Sequence, residues 1–167
     1  YMPTTLPGIS VTEAHKLLQV QDKILKGFPE VERVFGKAGR IESSTDPAPF
    51  AMMETTVILK PKNKWRKVPR FGKFLPFLKR PITFEELTAE MDKKMQFPGV
   101  SNAWTMPIKA RIDMLTTGVR TPVGIKIFGS DLKEIEKIGE HIEMVLKDVP
   151  GTRSIYAERT AGGYFVD

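Results

Sequence analysis

The feature that most constrains this chain is an internal repeat. Residues 8–40 (GISVTEAHKLLQVQDKILKGFPEVERVFGKAGR) lie without a gap over residues 129–161 (GSDLKEIEKIGEHIEMVLKDVPGTRSIYAERTA). Identities are few: Gly8/Gly129, Glu13/Glu134, Lys16/Lys137, Leu25/Leu146, Lys26/Lys147 and Pro29/Pro150. The apolar pattern matches more fully. A shorter third copy runs from Thr83 to Val100. Each copy opens with a helix cap followed three residues later by Glu: Ser10/Glu13, Thr83/Glu86, Asp131/Glu134. The cap oxygen satisfies orphan amides, and the carboxylate suits the positive helix end. Apolar residues then recur at helical spacing, as in Leu132, Ile135, Ile138, Ile142, Val145 and Val149. A proline follows and stops each helix.

An extended segment comes after the first and last helices, Val31–Gly36 and Thr152–Ala157. Met53–Leu59 and Val123–Phe128 are further strand candidates, both partly alternating. Helices alternating with strands predict an α+β fold of ferredoxin-like split βαβ sandwiches. One unit fills about 1–117; a second starts near 118 and stops unfinished at 167. Residues 61–81 hold four prolines and a glycine and predict an exposed basic loop, with Phe and Leu enough to touch a membrane surface or a neighbouring subunit.

Composition narrows the function. The net charge of +6 is concentrated in residues 60–80, which carry nine cations and no acid. Such a local run accounts for the basic pI without a nucleic-acid stripe, and no RNP-like aromatic run is present. No run of about 18 apolar residues occurs, so nothing here predicts a membrane span. Tyr1 is no initiator methionine, and no signal peptide follows it. The expectation is a segment excised from a larger extracytoplasmic protein.

Enzyme chemistry finds little support. The two histidines, His15 and His141, lie on matching helices in no triad context. No GxGxxG, Walker A or HExxH motif occurs. The chain predicts neither an enzyme nor a resident cofactor. With no cysteine, a soft metal has only thioethers to bind, and there are eight methionines. Met91 and Met95 share the apolar face of their helix with Phe84 and Leu87 and read as core filler. Met2, Met52 and Met114 lie outside the repeat helices, beside polar or helix-breaking residues.

The stretches YMPTTLPGIS, VFGKAGRIESSTDPAPFAMMETTVILKPKNKW, RIDMLTTGVRTPVGIKIFG and VPGTRSIYAERTAGGYFVD resemble the CusA-type copper/silver heavy-metal efflux pumps of the resistance-nodulation-division superfamily. The likeness covers almost the whole chain, although the 61–81 segment looks longer than in the typical copper/silver pump. The resemblance implies the periplasmic part of a bacterial inner-membrane, proton-driven homotrimer. That assembly works with a periplasmic adaptor protein, an outer-membrane channel and a periplasmic metallochaperone, and not with nucleic acid. Residues 1–117 would be a porter subdomain PC1, and 118–167 the first half of PC2. Cu(I) or Ag(I) would be the transported ion, held by Met2, Met52 and Met114. Glu54, Arg111, Asp113 and Arg120 match positions near that site, where they orient ligands and balance charge. Residues 107–117 would form a short helix under the cleft. The alternatives are a divalent-metal (Zn/Co/Ni) exporter fragment, or an assembly domain that binds no metal.

Overall fold

The computed structural model describes residues 1–39, 50–69, 78–118, 123–152 and 155–158. The elements in chain order are β1 (Thr4–Thr5), α1 (Val11–Lys26), β2 (Val31–Ala38), β3 (Met53–Leu59), β4 (Lys67–Pro69), β5 (Lys79–Pro81), α2 (Phe84–Lys94), β6 (Val100–Ser101), α3 (Pro107–Thr117) and α4 (Leu132–Lys147). The helix starts follow local chemistry. Ser10 Oγ accepts the Glu13 amide at 3.2 Å. Thr83 and Glu86 form a reciprocal capping box. Asp131 caps α4 through the Lys133 amide, at 2.8 Å, one residue earlier than the repeat predicts.

The first chain segment is the centre of the sheet. On one side Tyr1 and Thr55 exchange both backbone bonds, at 2.9 and 2.8 Å. The Met53 amide donates to Pro3 at 3.1 Å, and Thr4 bridges Met52. On the other side Thr4 pairs with Ser101 and Thr5 with Val100. β2 pairs with β3 from Val31/Leu59 to Ala38/Met53, with a bulge between Val31 and Arg33. The spatial order is therefore β2-β3-β1-β6, every neighbour antiparallel, with α1 and α2 as crossovers. That is the expected split βαβ arrangement.

The pleat sorts residues by face. Tyr1, Val34, Val57, Leu59 and Trp104 point to the helices and pack with Leu25, Phe28, Leu87, Met91 and Met95. Met53 packs with Ala14 and Leu18 in an adjoining cluster. Met91 and Met95 are core, as their spacing predicts, whereas His15 and His141 are exposed.

Two expectations need correction. The 61–81 segment is not a plain loop: β4 and β5 pair in antiparallel register, Lys67 with Pro81 and Pro69 with Lys79. Trp65 anchors this hairpin in the core, its indole Nε1 donating to the Lys60 carbonyl at 2.7 Å. Two of its arginines, Arg66 and Arg80, pair with acids. Arg66 meets Glu30 and Glu90, and Arg80 grips Glu86 at 2.7 and 2.5 Å. The Arg80 hydrogen bonds hold the Glu86 carboxyl down to about 2. Second, Val123–Phe128 and the described part of 152–157 form no strand among the described residues; Ile127 and Ala157 lie against α4 at Gly139, and the Ala157 amide donates to Glu143 at 3.3 Å.

Candidate metal centre

Met2 and Met52 meet through strand register. Pairing in the β1–β3 ladder sets Met2 opposite Glu54 and Thr4 opposite Met52. Both pairs are of the non-hydrogen-bonded kind, in which side chains approach most closely. Met2 and Met52 are thus diagonal neighbours on one face, within reach of long side chains. Glu54 shares that face. It is the face turned away from α1 and α2.

This outer face is not uniform. Phe35, Thr56 and Ile58 are exposed at one end. At the other, Met2 is only 4% exposed and Thr4 9%. Met2 is held there by its amide, which donates to the Ala103 carbonyl at 2.8 Å. Its neighbour Tyr1 is pinned as well: the phenol donates to Asn102 Oδ1 at 2.7 Å, and its ring lies 4.6 Å from that of Trp104. Burial pushes the Tyr1 phenol well above its ordinary value, and the Asp92 charge adds to the effect. Beside Met52, Gly39 takes a left-handed φ of +78°, and its amide donates to the Met52 carbonyl at 3.3 Å. A Cβ on Gly39 would stand 2.8 Å from the Phe50 ring, so only glycine admits that ring next to Met52.

Met114 belongs to another element. It lies inside α3, one turn after buried Ala110, and is itself half-buried. Residues four apart share a helix face, so Ala110 and Met114 look the same way. Asp113 is next to that face and binds Lys109 at 2.6 Å with its carboxylate 17% exposed. Arg111, on the other flank of that face, is exposed. Arg120 lies outside the described residues. The register therefore groups Met2, Met52 and Glu54, while Met114 and Asp113 form a second group on α3.

One neighbour escaped sequence reasoning. Lys37, directly across the β2–β3 ladder from Glu54, pairs with its carboxylate at 3.1 Å. Aligning the two strands as a hairpin would have exposed it. A separate cavity of about 370 Å³ lies between the first unit and the α4 region, lined by Asp92, Asn102, Glu143, Lys147 and Tyr156 among others. None of the three methionines lines it.

The split βαβ unit, with its helices on one face of the sheet, has known relatives. Residues 2–165 match the AcrB/AcrD/AcrF family, and the chain belongs to that family. It is 45% identical to the putative cation efflux system protein SilA of Salmonella typhimurium, over all of this chain and 15% of that protein. It is 44% identical to the cation efflux system protein CusA of Escherichia coli K12, with the same coverage. The fold matches the crystal structure of a heavy metal efflux pump at a TM-score of 0.78 and 26% identity, covering 90% of this chain and 14% of that one. The chain thus spans about a seventh of the length of these relatives. Among the described residues no helix is long and apolar enough to cross a membrane.

Proposed function

We propose that this chain is the metal-binding porter portion of a proton-driven Cu(I)/Ag(I) efflux transporter, with Met2, Met52 and Met114 as the ion's ligands. The observation that carries the reading is the diagonal pairing of Met2 and Met52 on the covered end of the sheet. Two thioethers presented together, with no thiolate or imidazole beside them, suit a soft monovalent ion rather than a hard divalent one. Among the described residues no group of three His, Cys, Asp or Glu side chains is placed to hold a metal, which weighs against the divalent alternative.

In this reading 1–117 is the PC1 subdomain and 118–167 the first half of PC2. Met114 is the movable ligand, because it rides on α3 rather than on the ladder. Cleft closure brings it to the other two, and reopening releases the ion. Glu54 opposite Met2 balances the ion's charge, with Asp113, Arg111 and Arg120 tuning the surroundings. The full protein acts as a periplasm-exposed, inner-membrane homotrimer with an adaptor, an outer-membrane channel and a metallochaperone.

The test is Ag(I) and Zn(II) binding by calorimetry, for the wild type and for Met52→Ala and Met114→Ala. Silver binding should weaken by about tenfold or more in each variant, a loss of at least ~1.4 kcal/mol. Zn(II) should bind weakly or not at all. Silver affinity indifferent to Met114→Ala would sink the three-methionine site.

A further inference from the structure

One row of the outer sheet face crosses three strands. Lys37 on β2 faces Glu54 on β3, and Glu54 in turn faces Met2. Met52 is the next residue along β3 on the same face. The Lys37 ammonium binds the Glu54 carboxylate at 3.1 Å. In the β2–β3 ladder this is the one facing pair of opposite charges; the other outward positions set Arg33 against Ile58 and Phe35 against Thr56. The pair does little to hold the fold. Its side chains are 25% and 40% exposed, and an ion pair that open adds little to stability. Its place in the row, one residue across from Met2, bears on charge instead.

We infer that Lys37 is a specificity-determining residue of the proposed metal site: as the built-in counter-ion of Glu54 it turns divalent cations away from Met2 and Met52. The inference rests on the proposed function of these methionines and names how their site tells one ionic charge from another. Thioethers are neutral and select softness, not charge. A bare carboxylate beside them would be a hard oxygen donor with a full negative charge, which favours divalent cations. Paired with an ammonium, Glu54 presents a nearly neutral couple, and one of its oxygens is engaged. An ion at Met2 also meets the Lys37 charge, one to two strand spacings away, about 5–10 Å. Repulsion scales with the ion's charge, so it acts twice as strongly on Zn(II) as on Cu(I) or Ag(I). Lysine suits this task, because its flexible stem lets the ammonium yield when an ion binds and return when it leaves. The Tyr1 terminal amine also feels the Glu54 charge, but it is bonded into the ladder through the Thr55 carbonyl at 2.9 Å.

The test is calorimetric titration of the N-acetylated full chain with Ag(I) and with Zn(II). Acetylation removes the Tyr1 charge and keeps an N–H for Thr55. The variants are Lys37→Gln, Lys37→Arg and, as a remote charge control, Lys93→Gln, exposed on α2 across the sheet. Lys37→Gln should tighten Ag(I) by about three- to tenfold, the effect of removing a unit charge at that range, and Zn(II) by about the square of that factor. The Ag(I)/Zn(II) affinity ratio therefore falls. Lys37→Arg keeps the charge and should keep the wild-type ratio, and Lys93→Gln should not move it. All three should melt with the wild type, since each side chain is open to solvent. Zn(II) bound no tighter by Lys37→Gln, while silver binding is still lost in Met52→Ala, overturns the inference and leaves the methionine site standing. An equal fall of the ratio in Lys93→Gln overturns it as well, as an effect of net charge. Silver that fails to bind the wild type, or binds without regard to Met52→Ala, sinks the site itself and the inference with it.

Discussion

Helices α1 and α4 carry the same repeat and the same length, 16 residues, yet they end in different environments. α1 buries Ala14, Leu18, Gln21 and Leu25. α4 has an apolar stripe at least as regular and buries none of its residues. The difference lies in what each helix covers. α1 rests on a four-stranded sheet, whereas α4 meets Ile127 and Ala157, which belong to no strand among the described residues. An amphipathic pattern specifies a face; only a completed layer beneath it turns that face into core. The matched positions show a second contrast. In the first unit Leu18 on the helix sits over Gly36 on the strand, where a Cβ would come within 2.8 Å of the leucine. In the second, the equivalents are Gly139 on the helix and Ala157 on the extended segment, where a Cβ on Gly139 would stand 3.5 Å from the alanine. The small residue has changed sides, so each helix still approaches closely.

The contrast is most exposed to test at the matched leucines. Leu25 is fully buried, so Leu25→Ala should cost about 2–5 kcal/mol by chemical denaturation. Its equivalent Leu146 is half-buried, and Leu146→Ala should cost less than about 1.5 kcal/mol, a surface-like effect. Equal losses would mean that α4 covers a core as complete as that under α1. A smaller effect is expected at the glycines. Gly36→Ala pushes a methyl into Asp22 and Leu18 and should destabilise by about 1–3 kcal/mol. Gly139→Ala meets only ordinary contacts and should stabilise α4 by up to about 1 kcal/mol, read as a rise in Tm.

The smallest effect is a pH slope confined to the first unit. Burial raises the Asp22 carboxyl, against the Thr55 hydroxyl, which donates to it at 3.0 Å. A raised carboxyl holds its proton more tightly when folded than when unfolded. Its contribution is therefore full below the unfolded pKa and is lost as pH rises through the folded one. Asp22→Asn should flatten that decline between acid and neutral pH while keeping the Thr55 bond. A slope unchanged in the variant would assign it to another group.

What the chain revealed in advance was mostly local. The caps of α1 and α2, the span of β3 and the core role of Met91 and Met95 each depend on residues a few positions apart. The hairpin at 67–81 was hidden because Trp65 is anchored by contacts far along the chain, while its own neighbours are prolines and lysines. The central strand was hidden too, since Thr4 and Thr5 stand between prolines and have no alternating run. At the candidate site, Met2 and Met52 could be named from the sequence, but their adjacency is a property of register. The Lys37–Glu54 pair follows from the same register. The face shared by Ala110 and Met114 follows from helical spacing alone.

The position of β1 also sets an order of events during synthesis. Within this stretch of chain, β1 is made before the other strands of its sheet and is the last of them to be paired along both edges. Tyr1 bonds to Thr55 and, through its phenol, to Asn102, closing loops of 54 and 101 residues. The α1–β2 contact and the β2–β3 ladder can form while the chain is still emerging. The sheet cannot be completed until Asn102 and Ala103 have appeared. Until then the other edge of β1, which β6 covers, stays unpaired, so the strand that brings Met2 to Met52 is only half held until the last strand of the sheet arrives.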